Sequence, residues 1–75
     1  MFQEIVEKWE GHRGERIAIE HYGGKYAVHY GYDRTAQMGL NGVCYGLNSR
    51  DDAVARIKAH RPTATKVAKW TGDKW

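Results

Sequence analysis

Glu20, His29 and Cys44 are the side chains of this 75-residue chain best suited to covalent chemistry, since a carboxylate can orient an imidazole and an imidazole can activate a thiol. Whether they cooperate depends on the elements that carry them. Two alternating runs, Glu15–Tyr22 and Lys25–Tyr32, predict paired strands in which Glu20 lies diagonal to His29 on one face. Cys44 joins that face only if a third strand pairs in the right register. An open sheet offers no water-excluding pocket and no oxyanion hole, so the expectation is a non-enzymatic chain without a cofactor. Metal binding is not expected either: His21 and His29 point to opposite faces, and a lone cysteine forms neither an internal disulfide nor a Cys-pair zinc site. Phosphate loops and dinucleotide fingerprints are absent, and Gly23-Gly24 is turn chemistry.

The elements follow from periodicity. A Gly-Gly pair between alternating runs predicts a tight hairpin, with Tyr22 opposite Lys25, His21 opposite Tyr26, Ile19 opposite Val28 and Ile17 opposite Tyr30. Phe2, Ile5, Val6 and Trp9 recur at i, i+3, i+4 and i+7, which predicts a first helix stopped at Gly11. Val43, Tyr45 and Leu47 alternate with Cys44 and Gly46 as a third strand. Ser49-Arg50-Asp51-Asp52 matches a helix-start signature, and Pro62 closes that helix. Weak alternation over Thr63–Trp70 suggests a final strand. The resulting order is α-β-β-β-α-β: an α+β, two-layer fold with an antiparallel three- to four-stranded sheet and two helices on one face. At this size the expectation is one compact domain, residues 1–75. No apolar run reaches the ~20 residues of a spanning helix, and the acidic start is unlike a secretory leader, so the expected setting is cytoplasmic.

If both helices cover the Ile17/Ile19/Val28/Tyr30 face, the reverse face is left uncovered. It carries Arg16, Ala18, Glu20, Tyr22, Lys25, Ala27, His29 and Gly31, small residues ringed by groups capable of directional contacts. The segment Asp33–Gly42 is long for a connection in so small a domain and contains the apolar Met38 and Leu40. The expected partner-binding set is therefore Arg16, Tyr22, Lys25, His29, Arg34 and Met38. A homodimer pairing its open faces is a further reading.

Charge supplies the rival. Residues 1–49 hold five Lys/Arg against six Asp/Glu, whereas residues 50–75 hold seven against three, which concentrates basicity in the C-terminal third. Arg56, Lys58, Arg61, Lys66, Lys69, Trp70 and Lys74 mix cations with an aromatic ring, as nucleic-acid binders do. Asp51 and Asp52 oppose that use, because they repel phosphate from the start of the same helix.

The α-β-β-β-α order over residues 2–60 resembles the double-stranded RNA-binding domain, but Arg50-Asp51-Asp52 stands where that family has a basic helix start. Small ribonuclease toxins similar to that fold place a catalytic histidine after Gly-Ser, where His29 here follows Val28. The segment Lys25–Ile57 resembles the plant AP2 DNA-binding module without its Arg/Trp-rich strands. In size and in lacking a catalytic motif, the chain looks like the small inhibitors that phages and mobile elements direct at host machinery, including anti-CRISPR proteins. That likeness implies steric occlusion of a host protein or nucleoprotein complex, with direct DNA or RNA binding as the alternative.

Overall fold

The structure, a computed structural model, describes residues 4–32 and 42–67. Its first element corrects the expected helix: Glu4–Glu10 is a strand, β1. A bulge explains the misleading spacing. Ile5 pairs with Glu20, the next pair is Glu7 with Ile19, and Val6 is the extra residue between them. The inserted residue changes the phase, so that Val6 and Trp9 both reach the core. Apolar residues three apart therefore share one side of a strand here, as they would in a helix. On this strand Glu4 lies 3.9 Å from His21, and Lys8 is buried. The likeness to the double-stranded RNA-binding domain loses its first helix as well.

A 3₁₀ turn at His12–Gly14 leads into β2, Glu15–Tyr22. Gly23 and Gly24 turn the chain at φ +52° and +79°, the left-handed pair that a two-residue hairpin matching strand twist requires. The returning strand β3, Lys25–Tyr32, takes the expected register along its whole length. Strand β4, Val43–Leu47, pairs antiparallel with β3. A second bulge falls at Tyr45-Gly46, where Gly46 adopts φ +73°. The expected long loop and its Arg34, Met38 and Leu40 lie outside the described residues.

Helix α1, Arg50–His60, begins as the sequence predicts, with the Ser49 hydroxyl accepting the Asp52 amide at 3.0 Å. Asp51 and Asp52 occupy its positive end, and Pro62 prevents its continuation. Strand β5, Thr65–Lys66, pairs with β1 at Glu10 and Trp9, and Val67 donates to the Lys8 carbonyl at 2.9 Å. The sheet order is β4-β3-β2-β1-β5, so the fold is α+β with one five-stranded antiparallel sheet and one described helix. The sheet is larger and the helices fewer than expected. No helix among the described residues is long and apolar enough to cross a membrane.

The core lies between α1 and one sheet face. Ile17, Ile19, Val28, Ala53 and Ile57 are fully buried there, with Trp9, Tyr30 and Leu47 around them. Each large aliphatic side chain withdrawn in this way contributes about 1.5–3 kcal/mol. The reverse face is not stranded in water. Ala18 and Ala27 have no exposed surface, Gly31 is buried, Lys8 is 1 % exposed and His29 6 %. The register accounts for part of this, since Ala18 sits between Lys8 and His29, and Ala27 sits opposite Glu20. Small residues are thus sunk among long ones. This removes the uncovered central face and, with it, the basis for a dimer pairing two such faces.

Candidate interaction surface

Three polar clusters stand out. On the reverse face, His29 Nε2 and Glu20 Oε1 meet at 2.7 Å, the diagonal pair that strand alternation predicts. Cys44 does not join them: it pairs with Val28 and packs half-buried against the core on the opposite face. His29 Nδ1 is buried and has no hydrogen-bond partner among the described residues. One ring nitrogen is thus engaged by a carboxylate and the other is closed off, a poor arrangement for a general base that must reach substrate. Tyr45 stands over this pair, its ring edge-on to His29 at 6.0 Å and to Tyr22 at 6.4 Å. It is 62 % exposed, a conspicuous aromatic ring on β4, an edge strand among the described residues.

The second cluster fastens the end of α1. Arg61 donates to both Glu15 oxygens, at 2.6 and 3.0 Å, and its guanidinium lies 4.6 Å above the Tyr30 ring. The Glu15 hydrogen bond raises the Arg61 pKa above its ordinary value. Tyr30 is 2 % exposed, and burial pushes its phenol up to about 12, outweighing the opposing pull of Arg61. Its hydroxyl faces His60 Nδ1 at 3.4 Å. The third cluster surrounds Glu7, which is 5 % exposed: Trp9 Nε1 donates to it at 2.6 Å, with Arg50 at 3.5 Å and Lys66 at 3.8 Å.

The six residues expected to bind a partner separate. Tyr22 is half-buried beside Tyr45, and Lys25 is exposed and donates to Asn48 at 2.7 Å. Arg16 pairs with Glu10 at 3.3 Å, and His29 is buried. Arg34 and Met38 lie outside the described residues. Of the basic set, Arg56 and Lys58 are exposed on α1, whereas Arg61 is held by Glu15 and Lys66 lies near Glu7. Lys69, Trp70 and Lys74 fall outside the described residues.

Sequence reasoning overlooked the two buried carboxylates and Tyr45. For Glu15 the signal was available, because alternation puts it on the same face as Ile17 and Ile19. Glu7 had no such signal once its segment was read as a helix. An open groove of about 420 Å³ runs between the end of β4 and α1, lined by Gly46, Leu47, Asn48, Asp52, Ala55, Arg56 and Ala59. No three metal-ligating side chains converge among the described residues. No family model matches the chain, and no curated protein or solved structure is significantly similar to it.

Proposed function

We propose that this chain is a small, non-catalytic binding protein that docks on a protein partner through the rim formed by Tyr45, Tyr22 and Lys25, and acts by occluding that partner's surface. The observation that carries the reading is the exposure of Tyr45 on β4, an edge strand among the described residues, against rings that hold it in place. Aromatic side chains with little rotamer freedom are the usual anchors of protein interfaces. Compared with the whole reverse face, the surface shrinks to its hairpin end, because the centre of that face is buried. The closed environment of His29 supports the non-catalytic part of the reading.

The test is affinity capture from host-cell lysate, with and without nuclease, using the wild-type chain and its Tyr45→Ala and Lys25→Ala variants. The reading expects a captured protein that survives nuclease and is lost with Tyr45→Ala. Capture that ignores Tyr45→Ala refutes it, and capture abolished by nuclease transfers the role to nucleic acid. The exposed Arg56 and Lys58, which have no ion-pair partner among the described residues, favour that second reading. Steep loss of oligonucleotide affinity with salt would identify it.

A further inference from the structure

We infer that the groove between β4 and α1 is a self-association surface that receives a second copy of this chain about a two-fold axis. It uses the same β4 edge as the docking role of Tyr45 proposed above but rests on a different observation, the exposed stripe of α1. Helix α1 carries two stripes rather than one. Ala53 and Ile57 face the core, whereas Asp52, Ala55, Arg56 and Ala59, spaced i, i+3, i+4 and i+7, line the groove beside the outer edge of β4. The second stripe is exposed, and no salt bridge joins Asp52 to Arg56 although they lie one turn apart. Opposite charges with Ala55 between them and Ala59 one turn beyond form a seam that an antiparallel copy of itself complements. Small residues permit close approach, and Asp52 of each copy meets Arg56 of the other.

The geometry of the two elements agrees on where the axis runs. Leu47, at the end of β4, packs with Ala53 and Ile57, while His60 lies against Tyr30, whose amide bonds Gly42 just before β4 begins. The helix therefore runs back along β4. Reciprocal pairing of Asp52 with Arg56 puts the axis at Val54, four residues into α1, or about 6 Å along it. Two residues of strand cover about 6.6 Å, so the same axis passes near Tyr45, the midpoint of β4. An axis perpendicular to the sheet at that point brings the two β4 edges side by side, antiparallel. It also places both copies of α1 on the same side, running antiparallel. The bulge at Tyr45-Gly46 keeps the new backbone pairing short, so the helical seam must supply the rest of the interface.

The test is sedimentation equilibrium of the purified chain across the micromolar range, comparing wild type with Asp52→Arg, Arg56→Asp and the charge-swapped double variant. Each single variant should weaken the dimer by roughly tenfold or more, since it puts like charges together twice, and the swap should largely restore it. Amide exchange on β4 supplies a second readout, with protection of Val43–Tyr45 rising with protein concentration. A chain that stays monomeric at high micromolar concentration overturns the inference. So does a dimer that the single variants leave intact, or one that the swap fails to rescue. Because no partner is present, these outcomes are distinct from failure of the docking role.

Discussion

Tyr30 makes the fold alkali-sensitive by a calculable amount. Its phenol titrates near 12 in the folded chain against an ordinary 10.0, because its burial beneath α1 disfavours the phenolate. The raised value means that the contribution is fully present below about pH 10 and is lost as pH climbs through the folded value. At pH 11 the unfolded chain is mostly phenolate at this position and the folded chain mostly phenol, so the loss is about 1.4 kcal/mol. Other groups titrate in the same window, and Tyr30→Phe subtracts them while keeping the ring under the Arg61 guanidinium. Denaturant unfolding of both proteins at about pH 8 and pH 11 should show wild type losing roughly 1 to 1.5 kcal/mol more than the variant. Tyrosinate absorbance supplies the companion assay, in which Tyr30→Phe removes a late-titrating component. Equal alkaline losses in the two proteins, with the late component retained in the variant, would refute burial of the phenol as the cause.

Arg61→Leu removes the bidentate partner of the buried Glu15 carboxylate, and because the arginine is itself partly exposed the expected cost is about 2–3 kcal/mol in denaturant unfolding. A cost near zero would mean that the Glu15 carboxylate regains water once its partner is gone. Ser49→Ala deprives the Asp52 amide of its acceptor and should lower stability by about 1 kcal/mol, with helical circular dichroism checking that α1 still forms. Gly46→Ala meets no atom within 4 Å, so its expected cost of about 1 kcal/mol comes from the left-handed backbone alone; a stability gain would show that the bulge relaxes instead.

The elements legible in the sequence were those whose signals are local. The hairpin register followed from two alternating runs and a pair of glycines, and α1 from a serine cap and a proline stop. The contact between Glu20 and His29 followed from the same alternation. The first strand was hidden because one inserted residue, Val6, put apolar side chains at spacings that a helix would also produce. That single misreading propagated: a supposed helix left no strand for β5 to join and suggested an uncovered reverse face. Buried Glu7 was equally out of reach, since its partners Arg50 and Lys66 come from the far end of the chain. Tyr45 was placed on a strand correctly, but its prominence depends on β4 being an edge, which is a property of the assembled sheet.

The pairing of β5 with β1 carries a consequence for biosynthesis. The ribosome delivers β1 first, but Thr65 emerges more than fifty residues after Glu10, so that border of the sheet waits about three to ten seconds at ordinary elongation speeds. During this interval the backbone groups that Lys8 and Glu10 later share with the tail remain accessible to any neighbouring nascent chain. Late closure of that flank makes polysome crowding, rather than the equilibrium strength of the finished domain, the condition under which misassembly is most readily provoked.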